Sequence, residues 1–176
     1  MRLDRAGKGP LNLRSIGVIR TRFAEAAGTP IQPVYAQGAE GEVWLDEQYL
    51  TALEDVAGFE RIWLLYLLDR AGEFKARVVP YRDTRERGLF ATRSPSRPNP
   101  IGLSAVKLLR MTGRVLHVAD VDILDGTPLL DIKPYVPEFD AFPDSRAGWF
   151  DVAAGERRVA DGRFHPDGGH GPGRRP

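Results

Sequence analysis

The chain has 176 residues, 42% hydrophobic and 28% charged, and its 25 Lys and Arg against 24 Asp and Glu leave a formal net charge of +1. These proportions fit one soluble globular domain with a sizeable core and exclude a broadly basic nucleic-acid binder. No cysteine is present, so disulfides, thiolate metal sites and a cysteine nucleophile are excluded, and a reducing cytoplasm is the expected location.

The first twelve residues, basic and without an apolar run behind them, read as a flexible N-terminus and not as a secretory signal. The body is expected over 13–150. "SIGVIRTRF" reads as an early strand and "GTPIQP", Gly28 to Pro33, as a proline-bounded loop. "LDEQYLTALEDVAG" carries the clearest helix pattern: Asp46 as cap, Leu50, Leu53 and Ala57 on one face, Gly58 as the stop. "FERIWLLYLL" reads as a buried strand, and its apolar run is too short for a bilayer, which needs about 20 residues. "FKARVVPY" places Phe74, Ala76 and Val78 on one face. "HVADVDIL" alternates Ala119, Val121 and Ile123 against Asp120 and Asp122, the pattern of a half-buried strand. Many short strands with one or two helices and no βαβ alternation predict a mainly β barrel or sandwich, not a Rossmann sheet. Residues 151–176 form a C-terminal extension whose Gly-rich end, "DGRFHPDGGHGPGRRP", is expected to be flexible.

The densest stretch is "GLFATRSPSRPNPIGLS", Gly88 to Ser104. Pro95, Pro98 and Pro100 each fix φ and remove a backbone donor, and each biases its predecessor toward extended backbone, so the segment is a stiff loop. In an extended loop, residues four apart lie roughly 13 Å from each other. Arg93 and Arg97 would then reach two different anionic groups, and guanidinium suits carboxylate and phosphate alike. Around them, Arg82, Arg85, Arg87, Arg93 and Arg97 outnumber Asp83 and Glu86, a local net charge of +3.

The usual catalytic signatures are missing. His117, His165 and His170 make no plausible ligand set, so no metal is expected. Neither a Gly-x-Gly-x-x-Gly turn nor a phosphate-binding Gly-Lys-Ser/Thr loop is present. A second dense stretch, "VDILDGTPLLDIKPYVPEFD", opens with Asp125-Gly126, a type I′ hairpin signal. Asp131, Lys133 and Tyr135 alternate and share one face of an extended chain, with Pro134 confining them to an edge or a loop. Lys133 could equally serve only to neutralise Asp131.

Together, "GLFATRSPSRPNPIGLS" and "DGTPLLDIKPYVPEFD" closely resemble the two signature motifs of the TrmO family, also called YaeB, TsaA-like or VirR-like proteins. "IGVIRTRF", "GTPIQP" and "GFERIWLLY" follow the family order, so the resemblance covers about residues 15–149. It implies a single-domain β-barrel methyltransferase, dependent on S-adenosylmethionine, homodimeric, and acting on N6 of threonylcarbamoyladenosine beside the tRNA anticodon. Carried over by motif, the cofactor contacts would be Pro33, Val34, Tyr35, Asp69, Arg70, Arg93, Leu103, Asp120, Val121 and Asp122. Arg97, Asn99 and Tyr135 would hold substrate. Asp122, Asp125, Asp131 and Lys133 are the catalytic candidates, the first three as bases for a proton on the nucleophilic nitrogen.

Two positions depart from the family pattern: Asp69 and Arg70 fall where a histidine is common, and Ser96 where histidine or phenylalanine is frequent. Two further readings follow: a methyltransferase with another RNA or small-molecule substrate, and a non-catalytic nucleotide- or RNA-binding module.

Overall fold

The computed structural model describes residues 2–5, 9–153 and 155–166. At the N-terminus β1 (Arg2–Arg5) pairs antiparallel with β2 (Gly9–Asn12) within the stretch expected to be flexible. The body is built on β3 (Gly17–Thr21), β4 (Gly41–Leu45) and β5 (Arg61–Leu67), then a two-residue pair, β6 (Arg77–Val78) with β7 (Arg87–Gly88). The long β8 (Ile101–Thr112), β9 (Val115–Ala119) and β10 (Thr127–Pro134) follow, with one short helix, α1 (Pro137–Asp140).

Six strands close into an antiparallel barrel in the order β10-β3-β4-β9-β8-β5, as the mainly β reading expects. Closure leaves no unpaired sheet edge. The period-2 pattern explains the core: in β5, Ile62, Leu64 and Tyr66 point inward, and in β8 Gly102, Ser104, Val106 and Leu108 do so. They meet Ile19, Val43, Leu116, Val118 and Leu129 from the other strands. Each fully buried aliphatic side chain contributes about 1.5–3 kcal/mol. The alternate residues Trp63, Leu103 and Ala105 stand on the outer face of β5 and β8, where loops can cover them.

Several local expectations are corrected. Residues 46–58 are not an α-helix: a 3-10 helix spans Glu47–Leu53, Glu54 turns out of it at ψ 137°, and Asp55 is left-handed at φ 64° before a last 3-10 turn at Val56–Gly58. Asp46 makes no side-chain cap. The reason is docking: Leu53 is buried in the core with Tyr49 and Val56 packed beside it, while Leu50 is exposed. Phe74 and Ala76 are also exposed, and of that segment only Val78 and Pro80 are buried.

The strand expected over 117–124 ends at Ala119 because Asp120 adopts the left-handed conformation, φ 63°. Residues 120–126 then cross one end of the barrel, keeping Val121 and Ile123 in the core. Asp125-Gly126 is no type I′ hairpin: of the two, only Gly126 has positive φ, and β10 lies between β3 and β5, away from β9. The turn is instead tied down by Asp125, whose carboxylate accepts from the Thr21 amide at 3.1 Å.

Residues 155–166 return as a strap. Gly28 and Ile31 donate to the carbonyls of Ala160 and Arg158, and Ala160 donates back to Thr29. Phe164 is buried against Val78, Leu89 and Tyr81. The tail end expected to be flexible lies outside the described residues from 167 onward.

Candidate functional site

Where β5 ends and β8 begins, the proline loop folds over the open end of the barrel and creates a two-lobed cleft. The smaller lobe, about 390 Å³, has Tyr66, Gly102 and Asp122 among its lining residues, with Asp69, Arg70 and Arg93 around them. The larger, about 960 Å³, spreads over the outer face of the barrel across Trp63, Leu103, Ala105 and Tyr135. Arg93, Gln32 and Leu103 line both lobes. Arg93 donates to Gln32 Oε1 at 2.5 Å, which makes this pair the ridge between them.

The smaller lobe holds the most perturbed chemistry. Ser104 Oγ donates to Asp122 Oδ1 at 2.6 Å and lies 3.0 Å from the Tyr66 hydroxyl. Burial pushes the Asp122 carboxyl from 3.8 up to about 6, against the opposing pull of the Ser104 bond and the Arg93 charge. Burial and the Asp122 charge together drive the Tyr66 phenol far above its ordinary range, so it stays protonated. A carboxylate poised near neutrality beside a cleft is the arrangement a general base requires.

The larger lobe is walled by aromatic rings. Trp63 and Tyr135 meet with centroids 5.4 Å apart, and Tyr35, Trp149 and Phe150 face them from the covering loops. Arg61 pairs with Asp120 at 2.8 Å, and Asp120 also accepts from the Gly38 amide. Such a lobe offers planar surfaces to a purine or to stacked bases.

The structure brings most of the sequence-predicted residues to this cleft. Pro33, Val34, Tyr35, Asp120 and Tyr135 line the larger lobe; Asp69, Arg70, Arg97 and Asp122 line the smaller one; Arg93 and Leu103 join the two. Five lie elsewhere. Val121 is a fully buried core residue. Asp125 anchors its turn, and Asn99 is exposed outside both lobes. Asp131 and Lys133 form an exposed ion pair at 2.9 Å, opposite Leu65 and Trp63 on the barrel wall, so the neutralising role is the one the geometry gives Lys133.

Two arginines do something other than expected. Arg97 turns back on its own loop, donating to the Thr92 and Ser94 carbonyls and covering the Phe90 ring, so it does not extend toward a second anion. Arg70 donates to the Asp125 carbonyl at 2.6 Å and pins the crossing segment. The basic run is likewise no uniform phosphate face: Arg87 is paired with Asp83, and Arg82 donates to Gly155 O and the Tyr35 hydroxyl and covers the Phe150 ring.

Sequence reasoning missed Gln32, Tyr66 and Ser104. The first sits in the quoted "GTPIQP" segment. The other two are inward positions on apolar strands, where a hydroxyl among aliphatics was the available signal.

The comparisons with known proteins bear on the family and the fold. The family model "tRNA-methyltransferase O N-terminal domain" matches residues 18–141. An "S-adenosyl-L-methionine-binding protein" of Archaeoglobus fulgidus is 42% identical, covering 73% of this chain and 91% of its own. The "tRNA (adenine(37)-N6)-methyltransferase" of Escherichia coli is 36% identical over 76% of this chain and 61% of its own length. A crystal structure of TrmO from Pseudomonas aeruginosa superposes with a TM-score of 0.67 at 38% identity, covering 78% of this chain and 62% of that one. The chain thus spans about three fifths of those last two proteins.

Proposed function

The chain belongs to the tRNA-methyltransferase O family, and on that premise we propose that it methylates tRNA from S-adenosylmethionine, at N6 of the threonylcarbamoyladenosine beside the anticodon. One observation carries the reading: Asp122, a largely buried carboxylate raised to about 6, shares a cleft lobe with Arg93 and Leu103.

The donor set suits the cofactor. Arg93 offers a guanidinium for the methionine carboxylate, Leu103 and the aromatic wall offer apolar surface for adenine, and Asp122 places negative charge where a cation is to be held. The Ser94 hydroxyl, buried in the wall of the larger lobe without a partner among the described residues, is a polar atom that a ligand could satisfy. When bound, S-adenosylmethionine supplies a methyl group on a sulfonium sulfur for in-line displacement. The chain's own residues orient the two reactants, and Asp122 accepts the proton that the methylated nitrogen loses. In this reading the protein acts as a cytoplasmic homodimer.

Calorimetric titration with S-adenosylmethionine, run beside Arg93→Ala, tests the proposal. Wild-type binding that weakens in the variant supports it; no binding by either overturns the cofactor assignment and favours the binding-module alternative. Asp69, exposed on the rim where relatives commonly carry histidine, favours a second reading in which the cofactor is kept and the methyl acceptor differs. Mass spectrometry of nucleosides from tRNA treated with the protein separates the two.

A further inference from the structure

Two hydroxyls stand behind Asp122, and both are nearly out of solvent: Ser104 on β8 is 1% exposed and Tyr66 on β5 is 6% exposed. Their placement is built into the strand register, in which Tyr66 opposes Gly102 and Leu64 opposes Ser104. The Tyr66 ring lies so close over Gly102 that a Cβ there would stand 2.1 Å from Cε2. Glycine at 102 is therefore a condition of where the phenol sits.

Proton counting gives the contacts a direction. An ionised carboxylate only accepts, and a serine hydroxyl has one proton to donate. Ser104 uses its proton on Asp122 Oδ1 at 2.6 Å, so the 3.0 Å contact between the hydroxyls is made by tyrosine donating to serine. Protonating Asp122 on Oδ1 would require both hydroxyls to turn round.

We infer that Tyr66 and Ser104 are positioning residues for Asp122: their hydroxyls form a one-way donor chain that anchors Oδ1 and holds the carboxylate ionised at the cleft as a proton acceptor. This rests on the reading of Asp122 as the base. The chain of hydroxyls opposes the burial that pushes Asp122 upward, because a bond donated to the charged form favours that form. The other charged or titratable groups lining this lobe are Arg93 and Arg97 from the proline loop, Asp69 and Arg70 after β5, Tyr81, and His165 from the strap.

The test is a pH titration of the full chain, without ligands, by carbon NMR of labelled aspartate carboxyls, with the Asp122 signal identified by its loss in Asp122→Asn. Tyr66→Phe keeps the ring and removes the donor; Ser104→Ala breaks the bond itself. The Asp122 midpoint is expected to rise in both, by about one pH unit or more in Ser104→Ala, with Ser104→Thr returning it toward wild type. Midpoints unchanged in Tyr66→Phe and Ser104→Ala overturn the inference, whatever the activity. The acidic limb of single-turnover methyl transfer to tRNA is then followed in the same variants. A limb that moves with the NMR midpoint supports both the donor chain and the base. A midpoint that moves while the limb stays fixed, or while wild type transfers no methyl, leaves the hydroxyl chain standing and removes the base role from Asp122.

Discussion

Arg93 on the proline loop donates to Gln32 Oε1 at 2.5 Å, closing a bridge over 61 residues of sequence between the loop and the segment before Pro33. The bridge orients a guanidinium whose other nitrogens remain available to a carboxylate. Arg93→Ala is expected to weaken S-adenosylmethionine binding by about 1–3 kcal/mol, the range for losing a charged hydrogen bond. Gln32→Ala leaves the charge and removes its orientation, so a smaller loss is expected. Calorimetry on both variants checks the order.

Asp122→Asn separates binding from chemistry. The amide fills the same space and cannot take a proton, so methyl transfer is expected to fall by about 10²–10⁴-fold, while cofactor affinity falls by a much smaller factor, that of losing one negative charge beside the sulfonium. Equal losses in both would mean that Asp122 holds a ligand and removes no proton.

The same variant has a stability signature. The folded state raises Asp122 from 3.8 to about 6, so between those values the native protein binds more protons than the unfolded one, and its stability falls as pH rises. The cost is absent below about pH 4 and fully present above about pH 6. Asp122→Asn should therefore gain stability over wild type at pH 7, on the order of 1–3 kcal/mol, and little at pH 4. Denaturant melts at the two pH values measure this.

Arg70 holds the crossing segment through the Asp125 carbonyl and, more loosely, Thr127 Oγ1 at 3.4 Å. Arg70→Ala is expected to cost about 1–2 kcal/mol of stability, since it leaves that carbonyl without its donor. An unchanged denaturation midpoint would show that the contact is not structural.

Gly102→Ala drives a methyl group into the Tyr66 ring. A cost of about 1–3 kcal/mol is expected from overpacking, and less of it in a Tyr66→Leu background, because the two positions are in contact. Additive effects in the double variant would contradict the close approach.

The strands were legible where a short apolar run is bounded by charge or by Gly and Pro. β5 was legible as a short apolar run bounded by charge, whereas the inward set of Ile62, Leu64 and Tyr66 shows only in the structure. The 46–58 segment shows where periodicity misleads: Leu50, Leu53 and Ala57 fit helical spacing, but of the three only Leu53 is buried, and Asp55 in the left-handed region breaks the run. Asp122 was legible as a candidate and not for its partners, because its stretch keeps Val121 and Ile123 inward but leaves the strand after Ala119, which brings its carboxylate to Ser104. Asp131 and Lys133 looked equally chemical in sequence. Only the structure shows that they pair with each other and line neither lobe of the cleft.

The most direct measurement of the central claim is transfer of isotopic label from methyl-labelled S-adenosylmethionine into tRNA by the purified chain, with Asp122→Asn alongside. Label recovered on N6 of threonylcarbamoyladenosine with wild type, and lost in a variant that still binds the cofactor, is the predicted result. A wild-type chain that binds S-adenosylmethionine yet transfers no label to any tRNA would contradict it.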